Sequence, residues 1–319
     1  KKINQYTRWL TVPLAILQGY GFIKLLQRQG GASVLGALTT SQWILAVLTV
    51  TAGTLFLMWL GELISEKKVG NGISLLIFAG IVAGIPKKLL QTLATWDNSQ
   101  IFMVVAFIVI ALITVAVVVI ITEAQRNIPV SFARQVRGNR VYGGSTSHLP
   151  LRVNMAGVIP IIFAISVILF PPMIAQFFVG ASSAWVAAAA HFIVSLFNNQ
   201  WFYGISYFVL VLAFTYFYTY IIFHPQQIAE NLQKQGGFVP GIRPGRHTAE
   251  YLQVVVNRII LAGALFLAAI AVLPLVVRDF TGTQSLVIGG TSLLIVVAVV
   301  IETVNQINSQ LVMRDYEGL

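Results

Sequence analysis

Cysteine is absent from the sequence. Disulfides, thiolate metal sites and cysteine nucleophiles are thereby excluded. Charge is scarce too: 9% of the 319 residues are charged and 57% are hydrophobic. Soluble domains carry roughly 25% charged residues, and a water-soluble fold could not hide this much apolar surface behind so few charges. Lipid is the solvent that suits this composition. The four histidines, His148, His191, His224 and His247, are not spaced to share a metal. No HExxH, GxSxG, phosphate-binding GxxxxGK[ST] or paired-Asp pattern occurs. An ATPase or an intramembrane protease is therefore disfavoured, no enzymatic activity or cofactor is expected, and any energy source must be a partner's.

What charge there is has one sign, with a formal net charge of +10. Either an acidic partner or membrane topology explains this, and the position of each charge decides. A spanning helix needs roughly 20 apolar residues. Hydropathy predicts eight spans: Tyr6–Gln27, Trp43–Ile64, Gly72–Pro86, Ile101–Thr122, Ala156–Phe178, Phe202–Phe223, Asn257–Val277 and Val287–Val304. The third is short and Gly-rich. On this scheme only Lys24, Arg28, Lys87, Lys88 and Arg278 lie on one side, and the other fifteen Lys and Arg lie on the other. The positive-inside rule then puts both termini in the cytoplasm. Ala181–Phe197 is apolar enough to be a ninth span, which would place loops 123–155 and 224–258 on opposite faces. An external helix on or near the membrane keeps the charge asymmetry and is preferred. The sequence opens Lys-Lys-Ile-Asn, with no initiator Met and no signal-peptide pattern, and a span starts almost at once; a truncated beginning is expected.

The cytoplasmic loops 123–155 and 224–256 stand out. The first carries five Arg and a Val-Tyr-Gly-Gly turn between β-formers, which predicts a projecting β-hairpin. The second contains His-Pro-Gln-Gln-Ile-Ala-Glu-Asn-Leu, which predicts a short helix. The Gly- and Pro-rich run 236–245 that follows predicts a fixed, exposed tip. Solvated connectors are the plain reading, but long Arg-bearing loops more often bind acidic partners such as RNA phosphates. Within the spans polar residues are few. Gln18 sits mid-helix in the first, Ser74 lies near the start of the third, and Asn154 opens the fifth, ahead of Gly157 and Pro160. Glu62 and Glu302 sit near span ends and are expected to reach the interface. Small residues in Gly70–Gly84 and at 289–292 suit close helix packing. Ile73 and Ile77 share a helix face, which sequence periodicity leaves as lipid-facing, core-packed or pore-lining.

Four runs, in order, resemble the SecY family of protein-conducting channels: GNGISLLIFAGIVAGIP (70–86), RVYGGSTSHLPLRVNMAGVIPIIFA (140–164), NLQKQGGFVPGIRPGRHTAEYL (231–252) and GGTSLLIVV (289–297). The resemblance covers essentially the whole chain. It implies an all-α integral membrane protein whose eight spans are helices three to ten of a ten-helix, two-halves channel, the first two being absent. The boundary between halves falls near Ile101, leaving 1–100 as the remainder of the first half and 101–319 as the second.

By position, the resemblance assigns Ile73, Ile77, Ile162 and Ile295 to a hydrophobic waist. It assigns Gln18, Asn154 and Phe170 to a lateral gate, with Pro160 expected to kink the moving helix. Arg243 matches a functionally sensitive loop arginine and Arg140 a basic position in the preceding loop. With Arg134, Arg137 and Arg246 they are expected to bind cytoplasmic partners. Those implied are the SecA motor or a translating ribosome, beside SecE and SecG subunits, signal peptides, nascent chains and membrane lipid. The setting implied is the bacterial plasma membrane. A small-solute secondary transporter is the rival, but such proteins usually carry ionisable or carbonyl sites at midplane, and this chain has almost none.

Overall fold

The computed structural model describes residues 2–29, 39–68, 70–94, 101–132, 135–137, 140–142, 146–281 and 290–317. Ten helices occur among them: α1 (Lys2–Gln29), α2 (Thr40–Glu66), α3 (Gly72–Ala94), α4 (Ile101–Glu123), α5 (Ile159–Phe178), α6 (Ala184–Asn198), α7 (Gln200–Ile222), α8 (Pro225–Lys234), α9 (Arg246–Thr281) and α10 (Gly290–Glu317). Strands β1 (Gln125–Phe132), β2 (Gln135–Arg137), β3 (Arg140–Tyr142) and β4 (Thr146–Arg152) separate α4 from α5, and β5 (Gly237–Phe238) lies between α8 and α9.

Among the described residues, each predicted span coincides with a helix over most of its length. Among the described residues, five helical stretches are long and apolar enough to cross a membrane: Thr40–Glu66, Ile159–Phe178, Gln200–Lys234, Arg246–Val277 and Ser292–Met313. Gly72–Lys87 is a shorter apolar helix, as its sequence foretold. Hydropathy mistook some ends, because it marks where the solvent changes and not where the helix stops. α9 starts eleven residues before the predicted Asn257 and α10 runs thirteen past the predicted Val304. At 1.5 Å per residue the 36 residues of α9 reach about 54 Å, well beyond a hydrocarbon core of about 30 Å.

Pro160 is a correction. It sits in the first turn of α5, where a missing N–H costs nothing, so it starts the helix and does not kink it. The prolines inside that helix are Pro171 and Pro172.

The predicted hairpin forms. β1 and β4 pair antiparallel from Gln125↔Arg152 to Ser131↔Thr146, and β2 and β3 pair antiparallel in a separate two-stranded sheet from Gln135↔Tyr142 to Arg137↔Arg140. Ile128 and Val130 alternate inward along β1 between exposed neighbours, the period of a half-buried strand. The predicted short helix is α8, with Pro225 in its first turn and Lys234 in its last. The hairpin and the second loop join in one sheet of order β4-β1-β5, through Ser131↔Phe238 and Phe132↔Gly237. Loops 123–155 and 224–256 thus meet in one sheet, and α6, at 15 residues, reaches only about 22 Å.

By internal contacts the described residues form two compact units. One holds residues 1–84, 166–203 and 302–319; the other holds 85–165 and 204–301. In the first, α1 packs on α2, with Gly19 beside Val50 and Tyr20 5.0 Å from Trp43, ring to ring. The start of α3 lies hard against α2: a methyl on Gly72 would collide with the Gly61 carbonyl. In the second, the buried core is Ile128, Leu151, Val239, Leu252, Val255, Val256, Ile259 and Ile260, which seats the sheet on the projecting part of α9.

Gly72→Ala should push α2 and α3 apart, at about 3 kcal/mol, the upper range for overpacking a tight core. Thermal unfolding of the purified protein in detergent measures this. An unchanged midpoint would contradict the close approach of Gly61 and Gly72.

Candidate functional site

The three groups of expected site residues distribute over both units. Ile73 and Ile77 occupy successive turns of α3 in the first unit. Ile73 is 54% exposed and Ile77 half-buried. The start of α3 is fixed locally: the Asn71 side-chain oxygen accepts from Ser74 N–H at 3.2 Å, satisfying one of the unpaired donors of a helix start. Ile162 and Ile295 belong to the second unit. Ile162 is half-buried in the first turns of α5, where its N–H donates to the Val158 carbonyl at 3.3 Å. Ile295 is 5% exposed on α10, beside the buried Leu294.

Of the gate residues, Gln18 is exposed on α1 and Phe170 half-buried on α5, both in the first unit. Asn154, in the second, is 7% exposed. Its side-chain oxygen is buried without a hydrogen-bond partner among the described residues. The backbone beside it is held from two sides. Val153 N–H donates to Ala124 O at 2.8 Å, linking the entry to β1 with the exit from β4. The Val153 carbonyl faces α9 so closely that a methyl on Gly263 would sit 2.6 Å from it. A buried amide oxygen left open on a fixed backbone costs stability, about 1–3 kcal/mol, and is available to another donor.

The loop arginines divide. Arg134 lies outside the described residues. The backbone register of the hairpin sets Arg137 opposite Arg140. Arg243 is exposed on the loop after β5. That loop is stiff. Gly241 and Gly245 take φ of +82° and +90°, which a side chain disfavours. Thr248 Oγ1 donates to the Arg243 carbonyl at 2.9 Å, and Ile242 N–H donates to Val239 O at 3.0 Å. Among the described residues no acid pairs with Arg243, so a rigid tip offers an unspent guanidinium. Arg246 differs, its Nε lying 3.1 Å from Glu250 on the next turn of α9. That exposed pair is worth about 0–1 kcal/mol and leaves Arg246 the weaker candidate. Sequence reasoning missed β5, whose pairing with β1 brings the Arg243 loop and the arginine hairpin into one structure. Two residues carry too little pattern to announce a strand.

The SecY family model matches residues 1–304. The chain is similar to the protein translocase subunit SecY of Corynebacterium glutamicum, 46% identical over 334 residues, covering 100% of this chain and 74% of the relative. It is 44% identical to that of Streptomyces galbus over 331 residues, covering 99% of this chain and 74% of the relative. It is 41% identical to that of Bacillus subtilis over 327 residues, covering 100% and 74%. Two solved structures share the fold at low identity. One, described as a protein-conducting channel, has a TM-score of 0.64 at 18% identity and covers 94% of this chain and 71% of its own. The other, a SecY protein whose plug domain is described as stabilising the closed state of the translocation channel, has a TM-score of 0.63 at 17% identity, covering 94% and 72%. With helices apolar enough to cross a membrane several times and a family match along nearly its whole length, this multi-pass membrane chain belongs to the SecY family.

Proposed function

We propose that this chain is the pore-forming subunit of a protein translocase, passing unfolded secretory proteins across the membrane and releasing transmembrane segments sideways into lipid. The observation that carries the reading is the 41–46% identity, over nearly the whole chain, to protein translocase subunits named SecY. The chemistry agrees. The work needs no catalysis, only a path and a seal, and the subunit is not itself an enzyme. A small-solute transporter would leave the joined basic loops without a role and needs a midplane ionisable site of the kind this sequence lacks.

In this reading Ile73, Ile77, Ile162 and Ile295 form the waist. Branched apolar side chains close on any passing chain and form no hydrogen bonds to it. When empty, a narrow apolar constriction dewets and opposes ion leak. Gln18 and Asn154 form a polar seam at the lateral gate, with Phe170 further along it. One amide pair in a membrane is worth about 1 kcal/mol, enough to bias the gate shut and little enough for a hydrophobic signal segment to open it. The open side-chain oxygen of Asn154 supports this role. The two-halves division near Ile101 belongs to the same proposal.

Arg243, together with Arg134, Arg137, Arg140 and Arg246, binds the cytoplasmic driver, either the SecA motor or a translating ribosome. A guanidinium fork suits carboxylate and phosphate equally. SecE and SecG complete the assembly. The chain then resides in the bacterial plasma membrane, with the sheet β4-β1-β5 and both termini cytoplasmic.

Two outcomes test this. In cells depleted of their translocation channel, the full-length protein restores secretion, and Arg243→Glu inserts normally but exports at least tenfold more slowly. Normal export by that variant would remove Arg243 from the partner site. Asn154→Leu, which removes the amide from the proposed seam, should change how hydrophobic a signal must be for release into lipid. An unchanged signal threshold would contradict the polar seam.

A further inference from the structure

The turn between α2 and α3 is built more tightly than a connector requires. Lys68 takes φ of +57°, and among the described residues it is the one non-glycine residue with positive φ. Side chains disfavour that conformation, so the surroundings must hold it. From the α2 side, Ser65 does this. Lys68 N–H donates to Ser65 O at 3.1 Å, and Gly72 N–H donates to Ser65 Oγ at 2.9 Å. Ser65 Oγ itself donates to Gly61 O at 2.9 Å. One hydroxyl thus joins the end of α2 to the first residue of α3.

The other side of the turn is held from 242 residues away. Gln310, five turns into α10, donates a short hydrogen bond from Nε2 to the Lys68 carbonyl. That carbonyl lies just past the end of α2, where intrahelical partners have run out. Gly70 is buried beside the same helix: a methyl there would lie 3.4 Å from Thr303 Oγ1 and 3.8 Å from Gln306 Oε1. The Gln306 amide is in turn tied to Glu302 at 3.5 Å. Polar residues thus recur along one stripe of α10, at 302, 303, 306 and 310, a helical spacing. The spacing explains why α10 continues in register with the turn after its apolar part has ended.

We infer that Gln310 is a positioning residue. Its amide locks the Lys68 carbonyl and so sets where α3, with Ile73 and Ile77, begins. Ser65 fixes the turn to α2, which is its neighbour in sequence. Gln310 supplies a hydrogen bond from α10 to the turn's backbone. Losing it frees the turn without unfolding either helix. The consequence for the seal rests on the assignment of Ile73 and Ile77 to the waist; the clamp itself does not.

Two readouts keep these apart. Gln310→Leu keeps the bulk and loses the donor. Gln310→Lys keeps an N–H donor of similar reach. Hydrogen–deuterium exchange over residues 66–76 of the assembled, full-length protein reports the turn. Ion conductance of the resting channel in planar bilayers reports the seal. In Gln310→Leu, exchange should quicken about two- to tenfold, the factor for one ordinary hydrogen bond, and Gln310→Lys should restore most of the protection. Resting conductance should rise in the Leu variant and fall back in the Lys variant, with equal amounts of assembled protein. Faster exchange with unchanged conductance upholds the clamp and counts against the waist assignment of α3. Unchanged exchange in Gln310→Leu, or a Lys variant as loose as the Leu variant, overturns the clamp whatever the conductance.

Discussion

In hydrocarbon a backbone N–H or C=O without a partner costs several kcal/mol, and no water is there to supply one. The architecture follows from that constraint. The apolar lengths of this chain are helical, because a helix satisfies its own backbone. Among the described residues, strands appear only in the loops rich in Arg and Gly, where edges can meet water or each other. The sheet β4-β1-β5 draws on two loops separated by three helices and still seats on a buried core with α9. A helix that runs on past the lipid gives that sheet its floor.

The same constraint makes the helix ends informative. Where a helix stops, four carbonyls or amides lose their partners, and something must replace them. At the α2–α3 turn the replacements are Ser65, Asn71 and Gln310. Before α5 the backbone at Val153 is held by Ala124 and pressed against Gly263. These two junctions precede Ile73 and Ile162, residues assigned to the waist, and both are pinned by elements remote in sequence. Asn154 is the exception, its amide oxygen buried without a hydrogen-bond partner among the described residues.

Much of this was legible in the sequence. The eight apolar runs located the helices, and the β-formers around Val141-Tyr142 announced the hairpin. Gly241, Pro244 and Gly245 marked a stiff tip. The asymmetric charges favour an external helix on or near the membrane over Ala181–Phe197, and the joining of the two basic loops through β1 and β5 is compatible with that preference. The failures have physical causes. The polar extension of α9 is helical because its packing on the sheet overrides the hydropathy limit. Pro160 starts α5 because the turn at Gly157 precedes it, with φ of +61°. The bond from Gln310 to a backbone carbonyl leaves no trace in composition, since any residue at position 68 offers the same oxygen. Isoleucine spacing could not assign the waist, because lipid, core and pore all accept isoleucine; the family resemblance did that.

In the proposed function a polypeptide in transit passes both Ile77 and Ile295. A photoreactive residue placed at each position in the full-length protein, with a stalled secretory precursor in transit, measures it directly. The account predicts crosslinks to the precursor from both positions, and none from Ile44 on the exposed face of α2. A demonstrably engaged precursor that crosslinks from neither Ile77 nor Ile295 would place the path elsewhere and contradict the account.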